Sequence, residues 1–220
     1  MKMVKVYAVH LQKVKIEPEW LTLVSAPKRR RLARIHDSLS LAQSLVGDLL
    51  VRFLAVQHLE VSNRNLLFKT TDLGKPYLAN PSHSFHFNLS HSGHWVMCAV
   101  DQSPVGIDVQ QMEPIDHNLA RNILTPPAYR RYLELLPERR LEYFYDLWTL
   151  RESRQKLTGQ GMTVPLDLPV NQHENVPLCY RRYEFDPAYR MAVCALSNEL
   201  EPVLFFVDVV SMIQQLSEYQ

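Results

Sequence analysis

One succession of patterns occurs twice along the 220 residues, and it constrains the fold more than any single motif does. In the first half, Leu39, Ala42, Leu45, Leu49, Phe53 and Val56 form an apolar stripe at three- to four-residue spacing. That spacing predicts a helix, with Asp37 or Ser38 able to cap it. The turn Leu73-Gly74-Lys75-Pro76 breaks the pattern. Three strand-like runs follow, at Phe85–Leu89, Trp95–Val100 and Val105–Val109. In the second half a long helix is expected from about Glu138 to Leu157, ended by Thr158-Gly159-Gln160-Gly161. Strand-like runs then recur at Cys179–Phe185, Arg190–Leu196 and Val203–Val209. A further strand is expected over 3–11, and Thr125-Pro126-Pro127 offers a cap and a proline start for a short helix. The expectation is an α+β chain of two similar α/β subdomains related by pseudo-twofold symmetry, residues 1–103 and 104–220. A site at their junction is the natural consequence.

Composition narrows the class. Apolar residues make up 46% and charged residues 21%, which excludes a disordered or fibrous chain. No run approaches the ~18 uninterrupted apolar residues of a spanning helix. The start, Met1-Lys2-Met3-Val4-Lys5, runs straight into a strand pattern without the features of a signal peptide. No membrane association and a cytoplasmic location are therefore expected. Cys98, Cys179 and Cys194 are odd in number and widely spaced, unlike a disulfide framework or a paired-cysteine metal site. Cys98 and Cys194 fall in apolar strands and read as buried, inert thiols. The net charge of +1 hides an asymmetry. Residues 1–100 carry 13 Lys and Arg against 6 Asp and Glu, and the remainder 11 against 17. A basic half beside an acidic half suits an anionic ligand held near a cation site, and is equally compatible with ordinary solvated surface.

Three segments carry candidate chemistry. In Val105-Gly106-Ile107-Asp108-Val109-Gln110 the apolar residues share one face of a strand, which leaves Gly106, Asp108 and Gln110 on the other. An acid and an amide two residues apart can offer oxygens to a hard cation such as Mg²⁺. In Trp148-Thr149-Leu150-Arg151-Glu152-Ser153-Arg154-Gln155-Lys156, helical spacing aligns Trp148, Glu152 and Lys156 in one stripe. That stripe is either a surface ion pair or a carboxylate with an ammonium one turn away, placed for phosphate. In Phe85-His86-Phe87-Asn88-Leu89-Ser90-His91-Ser92-Gly93-His94 a polar turn ends an apolar strand. It is either an ordinary turn or a phosphate cradle of hydroxyls, imidazole and backbone N–H groups.

The order and spacing of these segments resemble the Sfp-type 4′-phosphopantetheinyl transferases over nearly the whole chain. That family has a Gly-Lys-Pro turn, an Asn-Leu-Ser-His-Ser strand end and a Gly-Ile-Asp-(Val/Ile)-Glu strand. A Trp-(Ser/Thr)-x-Lys-Glu-(Ser/Ala)-x-x-Lys helix completes the set. Here they read Gly74-Lys75-Pro76, Asn88-Leu89-Ser90-His91-Ser92, Gly106-Ile107-Asp108-Val109-Gln110 and Trp148 to Lys156. The basic cluster Lys28 to Arg31 and the segment Ser44-Leu45-Val46-Gly47-Asp48 are also similar to that family's N-terminal region. Two positions depart. Gln110 stands where the family usually has Glu, and Arg151 stands where it has Lys, with the charge kept and the shape changed.

The resemblance implies a Mg²⁺-dependent transferase, with Mn²⁺ as a possible substitute. Such an enzyme moves the phosphopantetheine arm of coenzyme A to a serine of an apo acyl or peptidyl carrier protein and releases adenosine 3′,5′-bisphosphate. It implies that Asp108, Gln110 and Glu152 hold the metal, that Glu152 or a water takes the serine proton, and that Lys156 serves the leaving phosphate. Lys28, Arg31, Ser44 and His91 are implied at the 3′-phosphate of coenzyme A, and Lys75, Pro76 and Ser90 at the adenine and ribose. The stretch from Gln111 to Leu136 is implied to receive the carrier, with Ile115, Leu119, Ile123 and Leu124 as core or docking surface. A monomer is implied as well. The rival chemistries fit less well. Ser90, His91 and Asp108 lack the nucleophile elbow of a hydrolase. His83, His86, His91 and His94 match no structural zinc spacing. The short basic cluster without aromatic interleaving is a poor nucleic-acid site, so no nucleic-acid partner is expected.

Overall fold

A computed structural model describes residues 3–79, 84–159, 178–196 and 199–219. In chain order the elements are β1 (Val4–His10), α1 (Ala26–Leu32), α2 (Ser38–Leu59), β2 (Phe68–Thr70) and β3 (Pro76–Leu78). Then come β4 (His86–Ser92), β5 (Trp95–Asp101), β6 (Val105–Gln111), α3 (His117–Ile123), α4 (Pro126–Glu134) and α5 (Pro137–Thr158). The last are β7 (Cys179–Arg182), β8 (Tyr189–Ala195), β9 (Leu200–Phe206) and α6 (Val209–Glu218). Both helices and sheets are present, as the α+β reading expects.

The capping signals act as their chemistry demands. Asp37 accepts the N–H of Ser40 at 2.7 Å and starts α2. Thr125 accepts the N–H of Ala128 at the head of α4. Gly159, at φ 72°, ends α5 in the left-handed conformation that glycine tolerates best. Gln160 and Gly161, also expected in that break, lie outside the described residues.

The strands form a four-stranded sheet in the order β4-β5-β1-β9, a three-stranded sheet in the order β6-β8-β7, and the small β2-β3 hairpin. β4, β5 and β1 are antiparallel neighbours, but β9 lies parallel to β1. A strand near residue 200 therefore completes the sheet that the first ten residues began. The strand also starts three residues earlier than expected. Alternation places Val4, Val6 and Ala8 of β1 against Val105, Ile107 and Val109 of β6 and Met191 and Val193 of β8, in a core shared by the two sheets. The opposite face of the larger sheet is covered by α2 and α6, whose core includes Leu45, Leu49, Leu50, Met212 and Leu216. α5 covers the outer face of the smaller sheet.

The expectation that no segment is long and apolar enough to span a membrane is corrected by α2. Its 22 residues reach a mean hydropathy of 1.6 over an 18-residue window. Two-thirds of that window is buried inside the protein, because α2 is hydrophobic around most of its circumference and packs as a central helix. The contiguous apolar count missed it because Gln43, Asp48 and Arg52 interrupt the run.

α5 meets β6 at Gly106. A Cβ there would lie 1.9 Å from the carbonyl oxygen of Ser153 and 2.6 Å from the N–H nitrogen of Leu157, both backbone atoms. Gly106→Ala is expected to push α5 off the sheet, with the overpacking cost of about 1–3 kcal/mol in urea unfolding. Activity should fall by more than the stability loss explains, because the same helix carries Glu152 and Lys156.

Candidate functional site

β4 and β6 belong to different sheets, yet they run side by side, joined by side chains instead of backbone pairing. Asn88, Ser90 and Ser92 alternate along β4, so all three point the same way. Asn88 Oδ1 accepts the Ile107 N–H at 2.9 Å, Ser90 Oγ accepts the Val109 N–H at 3.1 Å, and Ser92 Oγ accepts the Gln111 N–H at 2.9 Å. These three bonds satisfy the outer edge of β6, whose other edge pairs with β8. They also fix Asp108, which faces α5 and is 1% exposed.

Asp108 is the centre of a closed polar cluster. The Ser90 hydroxyl donates to its Oδ1 at 3.0 Å, and the Lys156 ammonium reaches the same oxygen at 2.7 Å. Lys156 also donates to Ser90 Oγ at 3.0 Å. With Val109 N–H, Ser90 thus uses its one donor and both acceptor positions. The Gln110 side-chain amide donates to the other oxygen, Oδ2, at 3.0 Å. Glu152 lines the same cleft as Lys156. Burial raises its carboxyl above the usual range, the charge of Asp108 raises it further, and Lys156 and Arg151 partly offset both. Glu152 lines the cleft, the buried Asp108 is close enough to repel it, and two carboxylates so placed are chemically suited to a divalent cation. Among the described residues no three His, Cys, Asp or Glu side chains gather as a metal centre.

The cleft beside Glu152 and Lys156 is a cavity of about 310 Å³. A second cavity of about 340 Å³ adjoins it, since Gly74, Pro76 and Leu89 line both. Lys28, Arg31, Arg52 and Lys69 give the second cavity its positive character. Lys28 donates to Ser44 Oγ at 3.1 Å, and its ammonium is depressed from the usual lysine value by burial against the counter-pull of Asp48. Arg52 is 4% exposed and is held by Asp48 at 2.7 Å and Asn63 at 3.0 Å. Cavities of about 730 and 720 Å³ lie elsewhere. The first is lined by mutually paired ions such as Arg182–Asp146 and Arg190–Glu142, the second mainly by apolar groups, and neither adjoins Asp108.

The expected site residues therefore divide into two groups. Asp108, Gln110, Glu152 and Lys156 come together, and Lys28, Arg31, Ser44 and Pro76 line or adjoin the basic cavity. Ser90, implied at the adenine and ribose, sits buried between Asp108 and Lys156. Lys75 reaches the last carbonyls of α5, those of Lys156 and Leu157, and so ties the Gly74 turn to the helix. His91 lies between the groups. Burial lowers its proton affinity, as do the charges of Lys156 and Lys28, which favours the neutral ring. Among the apolar residues of the 111–136 stretch, Leu124 is buried and Ile115 and Ile123 pack on the small core around Phe144, but Leu119 is 44% exposed. His83 lies outside the described residues.

Asn88, Ser92, Asp48 and Arg52 were not singled out from the sequence. The two-residue period of Asn88-Leu89-Ser90-His91-Ser92 and the four-residue spacing of Asp48 and Arg52 were signals available for them. Ser90→Ala strands the Val109 N–H and is expected to cost about 1–3 kcal/mol in urea unfolding. Ser92→Ala, at the wetter end of the same row, should cost less than half as much.

Two models of known families match the chain. The model "4′-phosphopantetheinyl transferase, N-terminal" matches residues 16–103, and that of the 4′-phosphopantetheinyl transferase superfamily matches residues 104–194. The chain is 32% identical over 206 residues to 4′-phosphopantetheinyl transferase Sfp of Bacillus subtilis, covering 87% of this chain and 92% of the relative. It is 34% identical over 209 residues to 4′-phosphopantetheinyl transferase psf-1 of Bacillus pumilus, covering 86% and 89%. It is 29% identical over 188 residues to 4′-phosphopantetheinyl transferase gsp of Aneurinibacillus migulanus, covering 80% and 78%. With the motif residues gathered around Asp108 and with relatives matched over most of their length, the chain belongs to the Sfp-type 4′-phosphopantetheinyl transferases, a family of transferases.

Proposed function

We propose that this chain transfers the phosphopantetheine arm of coenzyme A to a serine of an apo acyl or peptidyl carrier protein and releases adenosine 3′,5′-bisphosphate. The observation that carries the reading is the continuity of the two cavities across Gly74, Pro76 and Leu89. One end offers cations and hydroxyls, the other Lys156 beside Glu152. A nucleotide with a phosphate at one end and a pyrophosphate at the other matches that distribution of charge.

In this reading Lys28, Arg31 and Ser44 bind the 3′-phosphate, and neutral His91 adds a hydrogen-bond donor. Pro76 borders the nucleotide. The carrier serine attacks the β-phosphorus, the bond from that phosphorus to the nucleotide phosphate breaks, and the serine proton passes to Glu152 or to a water it orients. Lys156 neutralises the leaving phosphate. Mg²⁺, fitted by Asp108 and Glu152 with Gln110 beside them, would supply charge neutralisation at the pyrophosphate, and Mn²⁺ would serve similarly. Phosphoryl transfer depends on positioning and electrostatics, so the enzyme needs no nucleophile of its own.

The carrier would approach over α3 and α4, where Leu119 and Leu133 are exposed. Both ends of the site come from one chain, which supports a monomer. The free thiols among the described residues, Cys98, Cys179 and Cys194, are in keeping with a reducing compartment such as the cytoplasm.

Incubation with coenzyme A, Mg²⁺ and apo carrier proteins, followed by intact mass spectrometry of the carrier, tests this. One added phosphopantetheine per carrier is expected, abolished by chelator and reduced about a hundredfold or more in rate by Glu152→Gln. Absence of the added mass with acyl and peptidyl carriers, in Mg²⁺ and in Mn²⁺, would sink the reading.

A further inference from the structure

Asp108 has little left to offer a cation as it stands. Its Oδ1 accepts both the Ser90 hydroxyl and the Lys156 ammonium, so both lone-pair directions of that oxygen are engaged. Its Oδ2 accepts the Gln110 amide. A carboxylate only accepts, so the amide must turn its NH₂ toward Asp108 and its carbonyl oxygen away. The carboxylate is 1% exposed, and it has exchanged water for these donors.

The charge balance follows from the residue at position 110. Asp108 and Lys156 cancel, while Lys156 and Arg151 also offset the charge of Glu152. Arg190, the cross-strand neighbour of Gln110, is occupied by Glu142 at 2.9 Å and Asp146 at 3.4 Å. It does not call for an acid at position 110. A glutamate there would place a second anion beside Asp108 in place of a donor. The site would then carry a further negative charge, which an external cation would relieve.

We propose that Lys156 and Gln110 act as a built-in counter-cation and donor for Asp108, so that this chain admits a divalent metal at Asp108 only as Lys156 transfers its contact to the pyrophosphate of the substrate. This rests on the function proposed above and assigns Lys156 a positioning role distinct from its service to the leaving group. The exchange leaves no charge unpaired. The ammonium leaves one anion for another, and the cation takes the vacated oxygen. The Lys156 side chain is 30% exposed and lines the cleft together with Glu152, so it can make that turn. The consequence is linkage. Metal and coenzyme A bind weakly apart and tightly together, each strengthening the other by the same factor.

Mn²⁺ binding to the full chain, read from the loss of the electron paramagnetic resonance signal of aqueous Mn²⁺, tests the proposal without any turnover. The wild-type protein alone should bind Mn²⁺ weakly, and coenzyme A should tighten it by about tenfold or more. Coenzyme A brings phosphate ligands of its own, so the deciding result is the variants measured with Mn²⁺ alone. Lys156→Met should tighten Mn²⁺ by about tenfold without coenzyme A and shrink the effect of adding it. Gln110→Glu should also tighten Mn²⁺ alone. Lys156→Gln, which retains a neutral donor, guards against a Lys156→Met chain that does not fold, and circular dichroism reports on both. Unchanged or weaker Mn²⁺ affinity in folded Lys156→Met and Lys156→Gln overturns the proposal. If the wild-type protein modifies a carrier while that result holds, the inference fails and the transferase reading stands. If no carrier gains mass, the transferase reading fails whatever the Mn²⁺ affinities are.

Discussion

The row of side chains from β4 to β6 is the interaction on which the rest depends. Two sheets meet there along strands that share no backbone ladder, and Asn88, Ser90 and Ser92 supply acceptors that a neighbouring strand would otherwise provide. A ladder of backbone carbonyls would have served the N–H groups equally well. It could not have supplied a hydroxyl that also donates to Asp108 and accepts from Lys156. The joint between the halves and the polar cluster of the site are thus one network, in which each polar group has its partner.

The close approach of α5 to β6 is the second condition. Glycine at position 106 lets the backbone of Ser153 come within a distance that no side chain permits, and one turn of helix to either side then faces the strand. Glu152 and Lys156 each immediately precede one of the contacting residues, Ser153 and Leu157, and Asp108 is the next residue on the same face of β6. Lys75 adds a tether from the hairpin turn to the carbonyls at the end of α5, where a cation also meets the negative end of the helix dipole. The turn that lines both cavities is therefore attached to the helix that carries Glu152 and Lys156.

Much of this was legible in the residues. The 3.6-residue period exposed α2 and α5, and Asp37, Thr125 and Gly159 marked ends that the backbone confirms. Alternation in Val105 to Gln110 correctly separated the apolar face from the face of Asp108. What stayed hidden was mostly non-local. Nothing in Leu200–Phe206 announces a parallel partner in Val4–His10, because pairing leaves no periodic trace. The place of Ser90 in the Asp108 cluster was obscured because a motif gives a residue's presence and not the direction in which its hydroxyl points. α2 misled by its interruptions. Asp48 and Arg52 broke the apolar run in the sequence, yet in the fold they neutralise each other, and Arg52 is buried.

The parallel pairing of β9 with β1 bears on how the chain reaches its structure. β1 leaves the ribosome before β9, and residues 11–199 lie between them. β5 can pair with one edge of β1 early, but the other edge waits until the far strand arrives. A long-range parallel contact of this kind is entropically late and tends to slow folding. During that interval β1 is an unsheltered edge, the kind of surface that recruits foreign strands or chaperones. Pro202 near the middle of β9 and the half-buried Lys5 of β1 are residue types that discourage indiscriminate edge pairing. The fold closes as a ring closes, with its last strand laid beside its first.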